Sequence, residues 1–316
     1  MRAGGRRALE IYLPIAGLPV NIFLVFAMGL AVGFISGLFG IGGGFLMTPL
    51  LIFIGVSPAV AVATVSSHIA ASSFSGALLY WRRRALDLAL ALMLLAGGLI
   101  GTGLGVWLFT QLRAIGQLDL VIALSYVILL GSVGGAMILE SVRAIIRLQK
   151  GERVGVRRPG SHTWLHGLPI KVRFKQSRLY VSVIPVWMIG GIMGFLGAIM
   201  GIGGGFILVP LLIYLVRVPT NVVIGTSMVL TLVTMASATV LHAATNHLVD
   251  AVLALILMVG GVIGAQFGAQ AGQRMRSERL RLLLGLLVFS VGLRFAINLF
   301  LPPGEVYSFR LLEGER

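Results

Sequence analysis

From Ile11 to Trp81 the chain carries no Asp, Glu, Lys or Arg. Charged side chains make up about a quarter of an ordinary soluble domain, so a stretch of this length has no way to face water. Coiled as helix, it is long enough to cross the roughly 30 Å of a bilayer's hydrocarbon more than once. Further charge-free runs of spanning length follow, and over the 316 residues 58% are hydrophobic and 11% charged. Hydrocarbon offers backbone groups no water to bond, so such runs must satisfy them internally, as helices. The sequence predicts an all-α polytopic membrane protein, multi-pass in a cell membrane such as the bacterial inner membrane.

The apolar segments fall at 20–39, 45–55, 57–81, 86–110, 119–142, 181–200, 206–216, 220–243, 249–273 and 279–301. All but two are of full spanning length. The exceptions, 45–55 and 206–216, are too short to cross as straight helices. Each follows the same five residues, GIGGG at 40–44 and at 201–205. An internal repeat contains both runs. Pro49 and Pro210, Pro58 and Pro219, and Ser66 and Ser227 keep the spacing of the two runs. After a short insertion Asp87 matches Asp250, and Gly97, Gly101 and Gly105 match Gly260, Gly264 and Gly268. The chain reads as two homologous transmembrane repeats, 20–142 and 181–301, joined by a basic linker at 143–180 and followed by a polar tail at 302–316. Each repeat holds roughly four full transmembrane helices plus a short broken or re-entrant helix after its GIGGG run.

The net charge of +15 is concentrated: ten of the 25 Lys and Arg lie between Arg143 and Arg178. No aromatic-interleaved basic domain accompanies them, so nucleic acid is not an expected partner. In a membrane protein such a cluster marks the cytoplasmic side. Arg82, Arg83 and Arg84 have no basic counterpart in the second repeat, whereas Arg113 stands alone against Arg274, Arg276, Arg279 and Arg281. A bias that flips between repeats favours inverted repeats, each crossing an odd number of times. The absence of cysteine excludes disulfides, thiolate metal sites and cysteine nucleophiles. The basic start and the apolar run behind it, with no cleavage site between, read as a retained first span.

Glycines four apart, as at Gly97, Gly101 and Gly105, form a helix-packing face. Three in succession do not, because they cannot all face one neighbour. They favour a break instead, after which backbone N–H groups stand unpaired at the start of a short helix. Such an end attracts anions, and two of them near mid-membrane describe a transporter's substrate site. The candidate binding residues are Gly40, Gly42, Gly43 and Gly44 with Gly201, Gly203, Gly204 and Gly205. Downstream hydroxyls, Ser66 and Ser67 in one repeat and Thr226 and Ser227 in the other, are candidates to line a polar path, against the plainer reading that they bond their own helix. His68, the only titratable side chain deep within the first half, is a candidate for tuning charge or protonation. His242 and His247 read as interfacial beside Asn246 and Asp250, and Gln266 and Gln270 as facing a cavity. Asp87 and Asp250 read as helix caps, or as gating groups. No acid falls mid-span to hold Na⁺ or relay protons. Neither glycine run fits a soluble phosphate loop, and no enzyme motif emerges. No catalytic residue, metal or cofactor is expected.

The doubled GIGGGF…P…TS pattern, with its later acid and GG…G…G helix, resembles the TauE/SafE sulfite exporter family across both repeats. The first repeat departs from it, reading ATVSS where the second has GTS. The resemblance implies movement of small, often sulfur-containing anions such as sulfite, sulfonates or thiosulfate. It also implies that 40–44, 64–67, 201–205 and 225–227 form the binding region. The expectation is a secondary transporter, an exporter, working by alternating access between two pseudo-symmetric halves, with a small anion and the lipid bilayer as partners. An anion channel, or an accessory subunit whose linker docks a cytoplasmic partner, are the alternatives. Substrate, direction, coupling ion and oligomeric state stay open.

Overall fold

Each apolar segment folds as a helix, and each glycine run is where the chain breaks between two of them. The computed structural model describes residues 10–39, 43–82, 86–149, 171–174, 179–212, 220–272 and 277–300. The helices are α1 (Ile22–Phe39), α2 (Gly44–Phe53), α3 (Pro58–Arg82), α4 (Leu88–Ala114), α5 (Leu118–Gln149), α6 (Val183–Met200), α7 (Gly205–Leu211), α8 (Thr220–Leu241), α9 (Ala251–Gly272) and α10 (Ser277–Phe300). A π-helical turn, His242–Asn246, extends α8. Among the described residues seven of these helices are long and apolar enough to cross a membrane, so the chain is a multi-pass membrane protein. Eight spans were expected. In α10 the apolar stretch among the described residues is Leu282–Ile297.

The purely helical expectation needs one correction. Two antiparallel hairpins are present, β1 (Glu10–Tyr12) with β2 (Pro19–Asn21) and β3 (Lys171–Phe174) with β4 (Leu179–Ser182). Strands of three and four residues are too short for alternation to register in the sequence. Each hairpin stands directly before α1 or α6. The linker is also shorter than it reads, since α5 continues past 142 to Gln149. Residues 150–170 and 175–178, and the tail at 302–316, lie outside the described residues.

Glycine decides which helices meet. A Cβ on Gly29, Gly33 or Gly37 of α1 would strike the backbone of Leu257, Gly261 or Ala265 of α9, so these two helices run parallel in near backbone contact. Gly97, Gly101 and Gly105 of α4 meet Trp187, Gly191 and Phe195 of α6 in the same way. α5 and α10 pair antiparallel, with Gly134 against Phe289 and Gly292 against Leu130. Between these pairs α3 packs on α8 and α9, and α4 on α8. The outer surface is apolar: Phe23, Trp107 and Phe267 are each 62% exposed. Aromatic side chains so open would be anomalous in water and are ordinary against lipid.

Candidate functional site

In the second break α6 ends at Met200, and Gly201, Gly203 and Gly204 adopt φ of +65°, +74° and +67° before α7 begins at Gly205. In the first, Gly43 has φ +52° and caps α2; Gly40 and Gly42 lie outside the described residues. Left-handed backbone is cheap only for glycine, so the runs answer first to conformation. They answer next to space. A Cβ on Gly44 would collide with Ile69 of α3 and approach the Gly201 carbonyl to 2.6 Å. On Gly203 a Cβ would come within 2.8 Å of Ile69 Cγ2. The two breaks thus meet on either side of the Ile69 side chain.

Broken backbone in a membrane interior must find partners, and the carbonyls of the second break do. His242 Nε2 donates to Ala198 O at 3.1 Å, and the Tyr126 hydroxyl to Met200 O at 2.7 Å. Thr48 Oγ1 donates to Gly201 O at 3.2 Å, and Thr231 Oγ1 to Gly203 O at 2.8 Å. The amides differ. Gly201 N donates to Gly197 O at 2.8 Å, but no described residue accepts from Ile202, Gly203 or Gly204, all three buried. Leaving one such donor unpaired costs about 1–3 kcal/mol. Successive amides around left-handed residues form a concave nest that suits an anion.

The predicted side chains lie around this point with different duties. Ser66 donates to Val62 O at 3.0 Å, Ser67 to Thr64 O at 2.6 Å and Ser227 to Ile224 O at 2.9 Å, so all three hydroxyls are turned to their own helices. Thr226 Oγ1 accepts from Asp87 N at 3.4 Å. His68 is buried in α3, its Nδ1–H on Leu257 O at 2.7 Å and its ring against Gly261, while Nε2 has no partner among the described residues. The carbonyl can only accept, which places the proton on Nδ1. Leu230 covers Gly98 in the other half much as the His68 ring covers Gly261.

The remaining polar candidates separate by burial and by partner. His242 is buried, edge-on to Phe109 at 4.5 Å between ring centroids, while His247 is exposed. Gln266 and Gln270 are exposed on the outside of α9 rather than facing a cavity. Asp87 and Asp250 are caps: Asp87 Oδ1 accepts from Leu90 N at 3.2 Å, and Asp250 Oδ1 from Val252 and Leu253 N at 3.1 Å. Sequence reasoning missed Thr48 and Tyr126. Their signal was faint: Thr48 is the one hydroxyl on a short apolar helix, and Tyr126 stands in a long helix with serines of its own.

A helical bundle whose chain is broken twice, with the breaks brought together inside it, is the construction of multi-pass membrane transporters. The comparison with protein families agrees: the model described as "Sulfite exporter TauE/SafE" matches residues 25–295. The chain belongs to the TauE/SafE sulfite exporter family. It is 26% identical over 270 residues to the "probable membrane transporter protein YjnA" of Bacillus subtilis, covering 85% of this chain and 98% of that one. With a "probable membrane transporter protein" of Xylella fastidiosa it shares 28% identity over 283 residues, 86% and 94% of the two chains. A 60-residue segment is 45% identical to "Sulfite exporter TauE/SafE family protein 1" of Arabidopsis thaliana, 19% of this chain and 13% of that protein. No solved structure is significantly similar.

Proposed function

We propose that this chain is a secondary transporter of a small oxyanion of the sulfite or sulfonate kind, exporting it by alternating access between two inverted halves. The observation that carries the site is the set of buried amides at Ile202, Gly203 and Gly204, facing the first break across Ile69. The carbonyls of Gly201, Gly203 and Gly204 are already bonded, whereas these three amides are donors without a described acceptor, the polarity an anion needs. Gly43 and Gly44 bring the first break to the same point, with Gly40, Gly42 and Gly205 completing the runs. Thr226, Ser227, Ser66 and Ser67 line the approach, and donating to substrate requires the three serines to rotate off their own helices. His68, with Nε2 unpaired, adjusts charge beside the site.

The halves, 20–142 and 181–301, are read as inverted from their packing. Exchange α1–α5 for α6–α10 and the α1–α9 pair becomes α6–α4, while α3–α8 and α5–α10 map onto themselves. Equivalent helices α5 and α10 run antiparallel. A two-fold axis relating antiparallel membrane helices lies in the membrane plane, which is what inversion means.

Reconstituted protein should take up sulfite into proteoliposomes with saturation, more strongly than a monocarboxylate of similar size. Gly204→Leu, which forces a side chain into φ +67° beside Met193, should lower the rate by about a hundredfold or more, a loss of roughly 3 kcal/mol. Unsaturable flux at channel rates would overturn the transporter reading. An unimpaired Gly204→Leu would overturn the site.

A further inference from the structure

We propose that Ser73 is a ligand of the transported anion, its hydroxyl donating to an anion oxygen where the two glycine breaks meet. The proposal rests on the anion reading above and names a group that reading did not include.

One face of α3 runs along the breaks. Val62, Ile69, Ser73 and Gly76 share it by helical spacing. Val62 lies against Gly201, Ile69 against Gly44 and Gly203, and Gly76 against the Met228 sulfur of α8. Ser73 stands between Ile69 and Gly76, so it projects into the same seam, one turn beyond the breaks.

Its hydroxyl behaves unlike the others on this helix. A buried helical serine ordinarily donates to the carbonyl three or four residues back. Ser66, Ser67 and Ser72 all do so, and Ser72 takes Ile69 O, the carbonyl four residues before Ser73. Ser73 is 1% exposed, and its Oγ has no hydrogen-bond partner among the described residues. A buried hydroxyl left unpaired costs free energy in the empty site and is recovered when an acceptor arrives. A hydroxyl can accept from an amide as well as donate, yet no hydrogen bond joins Ser73 to the second break; an anion there would accept from both.

The other half does not repeat the feature. Thr64 and Thr226 make matching contacts, so here the halves are one residue off the Ser66–Ser227 register: Ser73 corresponds to Met235, whose methyl group closes on Gly197, and the adjacent Thr234 donates to Leu230 O. An unengaged hydroxyl therefore stands on one side only, since Thr231 and Thr234 of the other half are both bonded to backbone.

The test is initial-rate uptake of labelled sulfite into proteoliposomes holding wild type, Ser73→Ala, Ser73→Thr and Ser72→Ala, with thermal unfolding of each protein in sulfite-free detergent. Ser73→Ala should raise KM about tenfold or more, the effect of losing one hydrogen bond to a charged group. Ser73→Thr keeps the hydroxyl and Ser72→Ala removes one engaged with Ile69 O outside the proposed site, so both should stay within about threefold. Without anion, Ser73→Ala should unfold no earlier than wild type. An unchanged KM for Ser73→Ala beside an active wild type overturns the assignment and leaves the anion reading standing. A lowered unfolding temperature with equal loss in Ser73→Thr marks a packing role and also overturns it. A wild type that moves neither sulfite nor a sulfonate overturns both.

Discussion

Asp250 shows how much one side chain can hold. Its Oδ1 caps α9 through Val252 and Leu253, while Oδ2 accepts from Ile15 N at 2.9 Å and Ala16 N at 3.2 Å in the turn between β1 and β2. Its own N–H donates to Thr64 Oγ1 at 3.1 Å, and Thr226 serves Asp87 alike at 3.4 Å. Asn at 250 would turn an NH₂ group toward amides that need an acceptor. Asp250→Asn should therefore destabilise the protein by about 1–3 kcal/mol. Thr64→Val, which leaves the Asp250 N–H without its acceptor, should cost a similar amount. Thermal unfolding in detergent measures both, and unshifted transitions would show that the hairpin is not held through this carboxylate. The caps were legible in the sequence because a cap is a local arrangement. The threonine partner was not, being 186 residues away.

The helices are sorted by their glycines. The stripes on α4 and α9 were visible as spacing, but spacing names a face and not what it meets. The structure pairs them with α6 and α1, which carry stripes of their own at Gly190 and Gly194 and at Gly29, Gly33 and Gly37. In lipid, association gains little from burying apolar surface and much from close backbone packing. Gly33→Ala places a methyl group on the Gly261 backbone and should destabilise by about 1–3 kcal/mol through overpacking. Gly131→Ala on α5 is the control: a Cβ there meets nothing within 4 Å, so the change should be neutral or stabilising by up to about 1 kcal/mol. Unfolding temperatures of the two proteins, purified in parallel, decide it. Equal behaviour would mean that α1 and α9 have room to spare.

Across the whole molecule the number of crossings per half remains the quantity to measure. The chain has no cysteine, so single cysteines can be introduced without a background. Inverted halves place Glu10 and Gly314 on one side of the membrane and Gly160, in the linker, on the other. A membrane-impermeant thiol reagent should therefore label Glu10→Cys and Gly314→Cys together, and Gly160→Cys only after the membrane is opened, or the reverse. Labelling of all three from one side would leave each half with an even number of crossings and end the inverted reading.

Membrane residence, the ten apolar segments and the two glycine breaks follow from the sequence alone. Each rests on an unbroken run of neighbours: hydrocarbon demands long charge-free stretches, and left-handed backbone demands glycine. The meeting of the breaks at Ile69, the carbonyls held by Thr48, Tyr126, Thr231 and His242, and the unpaired hydroxyl of Ser73 came only with the tertiary structure. The sequence shows which side chains carry a hydroxyl. Which hydroxyls are already engaged depends on rotamers and on partners from distant helices, so the packing of α3 between the breaks decided that the hydroxyl of Ser73 is not.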